Sequence, residues 1–269
     1  EAVAASAAVP IAFAPSVIQS FPQSCSYSLP DWAANALSNP AAPANLQAYA
    51  KALKNYHDPA VMNYVKLLDG GIIDNYGLSG LILMREQASA PYAPFSPAQA
   101  VKLRRLLFVV VDAGQSLDAK WTKTVAGPSG LQLVMAATNT ALDAAKRSSF
   151  DLFTDTMNNW HKSVIAYRCG LSRDEVLRER GTLEGWDCRD LDFYIVRLTF
   201  GLLPPEQAVY LAQLPTTLAL PVSQVDALIA GGEEALTRSA EFQQFLRSLG
   251  EPVPKSVAIQ TVGAGTPLR

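Results

Sequence analysis

The chain has 269 residues, of which 49% are hydrophobic and 17% are charged. That supply of apolar side chains is enough to build a core, which excludes a disordered or collagen-like polymer. The formal net charge is −2, from 22 basic and 24 acidic residues, and no dense basic run occurs, so we expect no nucleic-acid partner.

The opening segment from Ala2 to Ile18 is apolar and rich in alanine, like the hydrophobic part of a secretory signal. It starts with Glu1 rather than with a basic region, and it contains Pro10 and Pro15. These features predict neither a signal peptide nor a membrane-spanning helix there. Because the sequence begins without Met, we expect a piece of a longer polypeptide.

A strand, a glycine turn and a helix are predicted in the first third of the chain. Tyr64 to Leu68 is typical of a short strand, which ends at Asp69-Gly70-Gly71. The apolar spacing from Tyr76 to Glu86 predicts a helix, with Asp74 or Asn75 at the position of the N-cap.

The middle of the chain carries its clearest strand and its longest helical pattern. Leu106 to Val111 is a continuous apolar run, which predicts a strand buried on both faces. Leu131 to Cys169 contains no Gly or Pro and has helical spacing. A single helix of that length would be too long for a compact domain, so we expect two helices with a break around Arg147 to Phe150.

The last third predicts one more strand and further helices. Asp192 to Phe200 has β character, Glu206 to Gln213 is a short helix, and Gln224 to Leu249 is amphipathic with a kink or junction at Gly231-Gly232. We expect residues 1–249 to form part of one domain and residues 250–269 to be a mobile tail. Strands that alternate with helices predict an α/β layered fold.

The cysteines and histidines limit the chemistry. Cys169 and Cys188 could pair in an oxidising compartment, or these two and Cys25 could be three ordinary thiols. No spacing typical of a zinc site occurs, and we favour packing or surface roles for His57 and His161. We therefore expect no metal and no cofactor.

The turn at Asp69 is the strongest candidate for a functional site. An aspartate that leaves an apolar strand lies at the sheet edge, where ligands of open α/β sheets bind, and two glycines permit a close backbone approach. The structural alternative is a strand end followed by a tight turn and a capped helix, and spacing alone favours it.

Four segments of the chain resemble segments that follow one another in bacterial patatin-like phospholipases. Asp69-Gly70-Gly71 with Asp74-Asn75 is similar to the D-G-G/A motif of that family, and Ala5 to Pro15 is similar to its A-S-x-A-x-P-x-x-F-x-P segment. The other two matches are the strand end at Val109–Gly114 with Trp121, and Leu214–Leu220 with Val225–Ile229. The resemblance covers Glu1 to Leu249, the C-terminal two-thirds of such an enzyme.

The resemblance implies a patatin-like layered fold with a central mixed or parallel sheet flanked by helices, incomplete at the N-terminus. It also implies a Ser–Asp dyad that hydrolyses acyl esters of glycerolipids, with Asp69 as the aspartate. Gly70, Gly71, Asp74 and Asn75 would shape the turn, and Pro10 and Phe13 are candidates for the substrate pocket.

The nucleophile that the resemblance implies is missing from this sequence. The G-x-S-x-G elbow and the oxyanion loop of the family precede Glu1. Ser6, Ser79 and Ser116 lie in no elbow pattern, and we expect none of them to be the nucleophile. These 269 residues alone are therefore expected to be inactive.

Three further points stay open. The first alternative function is a non-catalytic lipid-binding or protein-interaction module of the same fold, and a second is a helical partner-binding protein. The turn-rich segment from Pro22 to Pro43, with Trp32 and Leu37, is a candidate membrane-facing lid for transient membrane-surface contact, although we favour a loop that packs its own tryptophan. The sequence does not indicate which lipid is the substrate. The possible bridge between Cys169 and Cys188 and the similarity to exported bacterial members favour the cell envelope or secretion.

Overall fold

The computed structural model of the protein describes residues 5, 8, 14–21, 24, 26–114, 121, 125, 127–215, 217 and 219–251, apart from the side chain of Leu131. The chain is mixed α/β, with small parallel and antiparallel sheets. It divides into two compact units, the first formed by residues 1–104 and 128–191 and the second by residues 105–127 and 192–269. Most of the tail that we expect to be mobile lies outside the described residues.

The first unit has two strands and seven helices in its described part. They are β1 (Ser16–Gln19), α1 (Asp31–Ser38), α2 (Ala44–Tyr56), β2 (Tyr64–Leu67), α3 (Gly71–Asp74), α4 (Ser79–Glu86), α5 (Pro97–Lys102), α6 (Gly130–Gly170) and α7 (Arg173–Arg180). β1 and β2 are antiparallel, with Ser16 opposite Leu67 and Gln19 opposite Tyr64. The predicted strand before Asp69 is confirmed.

The tryptophan of the candidate lid packs inside the first unit. Ala33 and Ala36 of α1 form a small core cluster with Leu46 and Ala50 of α2, and Trp32 packs against this cluster. The expected packing of Trp32 is confirmed, but the expectation of a loop is wrong for Asp31–Ser38, which form the helix α1.

The expected break in the long helix is wrong. α6 runs without interruption for 41 residues, which is roughly 60 Å. Its C-terminal half buries Phe153, Met157, Trp160 and Val164 on one face. Its N-terminal half leaves apolar side chains such as Leu133 exposed, so compactness does not limit the length of this helix.

In the described part of the chain no helix has an apolar stretch long enough to cross a bilayer.

A disulfide bond closes the end of the first unit. Cys169, in the last turn of α6, is bonded to Cys188, so of the two alternatives that the sequence left open the structure contains the pairing. The segment that follows α7 turns at Gly181 and Gly185, both with positive φ, before it reaches Cys188. The bond therefore holds this segment against the end of α6.

The second unit is built on a parallel strand pair. Its elements are β3 (Arg105–Asp112), β4 (Asp192–Thr199), a 3₁₀ turn (Phe200–Leu202), α8 (Pro205–Ala212), α9 (Val222–Arg238) and α10 (Ala240–Leu249). Arg105 lies opposite Asp192 and Asp112 opposite Thr199, and these two ends also carry the ion pairs Arg105–Asp192 and Arg197–Asp112. Both predicted strands are confirmed.

The expectation that β3 is buried on both faces is wrong. Val110 is buried, but Val109 and Val111 are 45% and 66% exposed. Both α9 and α10 pack against β4, where Val196 and Leu198 are buried. Since β4 is the strand that receives this helical cover, a continuous apolar run did not guarantee burial for β3.

The helix α9 runs without interruption through Gly231-Gly232, so the predicted junction is wrong there, and the break lies at Ser239 instead. The Ser239 hydroxyl accepts a hydrogen bond from the Phe242 backbone N–H at 3.2 Å and so caps α10. Gly231 has a packing role inside α9, since a Cβ there would lie 2.5 Å from Cδ1 of the buried Leu211. Because Gly231 has no side chain, α8 and α9 can approach each other closely at this point.

The two adjacent glycines of α9 provide a matched test of that packing. We expect Gly231→Ala to lower the free energy of unfolding by about 1–3 kcal/mol, because the methyl group overpacks the contact with Leu211. Gly232 has no heavy atom within 4 Å of a Cβ, so Gly232→Ala should raise the same quantity by up to about 1 kcal/mol through helix propensity. Urea unfolding of both variants measures the difference, and equal effects would refute the packing role.

Candidate functional site

Asp69 lies directly after β2, at the start of the turn that leads into α3. Its Oδ1 accepts a hydrogen bond from the Gly71 backbone N–H at 2.7 Å, and its side chain is partly buried. Its Oδ2 has no hydrogen-bond or ion-pair partner among the described residues. The carboxylate is thus fixed at one oxygen and available at the other.

The backbone of Asp69 is bonded to the opening segment of the chain. Its N–H donates to the carbonyl oxygen of Ala8 at 3.0 Å, and both Ala5 and Ala8 are buried. This contact joins the two segments on which the patatin-like resemblance mainly rests. Pro10 and Phe13, the pocket candidates between them, lie outside the described residues, as do Ser6 and Ser116.

The two glycines of the turn differ in role. Gly70 has right-handed helical angles, φ −63° and ψ −26°, so its conformation does not require glycine. At Gly71 a Cβ would lie 2.6 Å from Oδ1 of Asn75 and 3.0 Å from Oδ1 of Asp69. The carboxylate can approach the chain this closely because residue 71 has no side chain.

The prediction of Asp74 or Asn75 as the N-cap residue is wrong, because Leu78 holds that position, but the Asp74 carboxylate still binds backbone N–H groups at the start of α4. Its Oδ1 accepts from the Leu78 N–H and its Oδ2 from the Ser79 N–H, both at 2.9 Å. The helix begins at Ser79 rather than at the predicted Tyr76, because Gly77 has φ +68° and interrupts the chain before it. Both oxygens of Asp74 are therefore engaged in structure, in contrast to those of Asp69.

The two histidines make packing contacts in the first unit. His57 stacks on Tyr27 with ring centroids 3.9 Å apart, and Nε2 of His161 lies 2.7 Å from the carbonyl oxygen of Leu191. Among the described residues no group of three His, Cys, Asp or Glu side chains could hold a metal ion.

Described residues of the first unit line pockets at two places. One, of about 650 Å³, is lined by Tyr56 and by residues from Val61 to Lys66, along the strand that leads to Asp69. The other, of about 320 Å³, lies beside the disulfide bond and is lined by Arg168 and several other charged residues. Asp69 itself lines neither of these two pockets.

Sequence reasoning missed Arg168 and its pocket. A signal was present, because Arg168 precedes Cys169 and Trp186 and Asp187 precede Cys188. The pairing of the two cysteines necessarily brings these neighbours close to each other.

Comparison with protein-family models, with curated proteins and with solved structures finds nothing that matches this chain.

Proposed function

We propose that this chain is the aspartate-bearing part of a serine-type lipid acyl hydrolase, a patatin-like phospholipase or esterase. In this proposal Asp69 is the acid of a Ser–Asp dyad, and the serine lies upstream of Glu1 in the same polypeptide. The observation that carries it is the state of the Asp69 carboxylate, which Gly71 holds at Oδ1 and which keeps Oδ2 without a partner among the described residues.

The hydrogen bond between Ala8 and Asp69 supports the same assignment. The A-S-x-A-x-P-x-x-F-x-P segment and the D-G-G motif are about sixty residues apart in sequence, yet their backbones meet at this bond. A segment that carries pocket residues and a turn that carries a catalytic carboxylate should be neighbours in one active site.

The proposed chemistry needs only one proton acceptor from this chain. The serine oxygen attacks the ester carbonyl carbon, and its proton passes to the Asp69 carboxylate. Collapse of the tetrahedral intermediate expels the alcohol, which takes that proton. Water then hydrolyses the acyl-enzyme with Asp69 again as the base. Glycerolipids are the proposed substrates, and no cofactor enters any step.

The proposed layout is a patatin-like layered fold in which the parallel pair β3–β4 belongs to a larger sheet. The exposure of Val109 and Val111 supports this, because apolar side chains on a parallel strand are normally covered. In the proposal, the upstream residues supply that cover together with the nucleophile.

Labelling with a fluorophosphonate tests the location of the serine. We expect the polypeptide that includes the upstream residues to react at one serine, which peptide mass spectrometry maps to a position before Glu1. The 269-residue chain alone serves as the control and should remain unlabelled. A label on Ser79 would overturn the proposal, and so would an upstream sequence without G-x-S-x-G.

Substitution of Gly71 tests how the carboxylate is held. We expect Gly71→Ala to reduce kcat of the longer polypeptide by about tenfold or more, because the new methyl group displaces Asp69 and Asn75 from their present positions. Gly80→Ala is the matched control, since a Cβ there has no heavy atom within 4 Å. Kinetics and thermal unfolding should both be measured, and equal kcat values in the two variants would contradict the role of Gly71.

A non-catalytic interaction module is the second candidate function. The observation in its favour is an exposed apolar face on α9, formed by Val222, Val225 and Ile229 at helical spacing. The fluorophosphonate experiment separates the two candidates, because a module of this kind would not be labelled.

A further inference from the structure

We propose that the first unit binds a phosphoryl group in the pocket beside the Cys169–Cys188 bond, at the buried guanidinium of Arg168. The pocket has a volume of about 320 Å³, within the range of small-molecule sites. This inference is independent of the proposed hydrolase activity, since Asp69 does not line the pocket.

Arg168 is a buried cation whose direct partners are uncharged. It is 2% exposed and donates to three backbone carbonyl oxygens, those of Leu103 at 2.5 Å, Asp187 at 3.0 Å and Asp190 at 3.1 Å. No carboxylate among the described residues forms an ion pair with it, and its buried Nε has no hydrogen-bond partner there. Three of its five N–H groups are therefore engaged by carbonyl oxygens, whereas the Nε–H has no partner and the charge has no directly paired carboxylate among the described residues.

The electrostatic state of Arg168 agrees with this geometry. Burial is the main cause that lowers the pKa of the guanidinium, the neighbouring cations Arg180 and Arg104 add to it, and the charges of Asp190 and Asp187 oppose it. The side chain still stays protonated, because the ordinary pKa of arginine is so high. An anion in the pocket would offset the cost of burying this charge.

Three further cations surround the pocket. Lys102, Arg104 and Arg180 line it with Arg168, against the two carboxylates Asp187 and Asp190. Asp190 is already paired with Arg104 at 2.6 Å. Positive charge thus exceeds negative charge around a single small volume, although the whole chain is slightly acidic.

Trp186 holds the arginine side chains in place. The guanidinium of Arg168 lies 4.9 Å and that of Arg180 5.8 Å from the centroid of its ring. Arg180 also donates to the carbonyl oxygens of Thr182 and Glu184, at 3.0 and 2.6 Å. The guanidinium groups of Arg168 and Arg180 are therefore positioned before any ligand arrives.

A purely structural role explains only part of this arrangement. The three carbonyl contacts of Arg168 fasten the segment near Cys188, but they require neither Lys102 nor the unpartnered Nε. Several cationic residues that line one volume suit a phosphoryl group, which offers three oxygens and up to two negative charges. The source is either a free phosphate compound or the headgroup of a phospholipid.

Calorimetric titration of the 269-residue chain with inorganic phosphate at constant ionic strength tests the site. We expect saturable binding, weakened about tenfold or more in Lys102→Gln, because a charge-assisted contact is lost. Lys162→Gln removes the same charge from an exposed position on α6 that does not line the pocket, and it should bind as the wild type does. Circular dichroism confirms that both variants fold.

Sedimentation with phosphatidylcholine vesicles, with and without phosphatidate, distinguishes the two sources. Binding that requires phosphatidate, and with which free phosphate competes, assigns a lipid headgroup, whereas binding of free phosphate alone assigns a soluble compound. The proposal is overturned if neither probe binds at millimolar concentration, or if Lys102→Gln and Lys162→Gln weaken binding equally.

Discussion

Replacement of Asp69 by asparagine in the polypeptide that includes the upstream serine should lower kcat by about 10²–10⁴-fold. The amide has nearly the same size, and its oxygen can still accept the hydrogen bond from the Gly71 N–H. It cannot take a proton from the serine, however, so the loss should be in the chemical step rather than in folding. Steady-state hydrolysis of an acyl ester and thermal unfolding measure the two effects separately.

The neighbouring carboxylate supplies the control for this result. Asp74→Asn weakens the capping contacts at the start of α4, so we expect it to lower the free energy of unfolding by about 1 kcal/mol. The variant should keep most of the kcat of the wild type. If Asp74→Asn and Asp69→Asn reduced kcat equally, the turn would be structural only and Asp69 would have no special role.

Removal of the disulfide bond should have the largest effect on stability. Cys169 and Cys188 are 19 residues apart, and a closed loop of about this length typically contributes about 3 kcal/mol. The variant Cys169→Ser/Cys188→Ser should therefore unfold roughly 10 °C below the wild type, measured by calorimetry without reductant.

A reductant provides the internal control for the disulfide. Dithiothreitol should lower the melting temperature of the wild type toward that of the double variant and should leave the variant unchanged. An equal response of both proteins to the reductant would mean that the two cysteines are not bonded in solution.

Local patterns predicted the elements that depend on local chemistry. Six consecutive apolar residues from Leu106 identified β3, and the spacing of Cys169 and Cys188 allowed the bridge that the structure contains. The prediction of a break in α6 was wrong because it did not rest on a local pattern. No Gly or Pro occurs between Leu131 and Cys169, so the expectation rested on compactness, which does not constrain a helix whose first half leaves apolar side chains such as Leu133 and Met135 exposed.

Tertiary contacts set the parts of the site that sequence could not supply. The turn at Asp69 and the capping role of Asp74 follow from turn and cap chemistry, which is local. The bond between Ala8 and Asp69, and the approach of Leu211 that requires Gly231, connect residues that carry no mutual signal in the sequence. The same holds for the convergence of Lys102 and Arg180 on Arg168.

A crystal structure of the longer polypeptide with a bound phosphonate tests the central claim most directly. The measurement is the distance between the oxygen of the phosphonylated serine and the Asp69 carboxylate. We predict about 2.6–3.2 Å, or one bridging water, with Oδ2 facing the serine. A carboxylate that faces away from the labelled serine, or that forms an ion pair elsewhere, would contradict the assignment of Asp69.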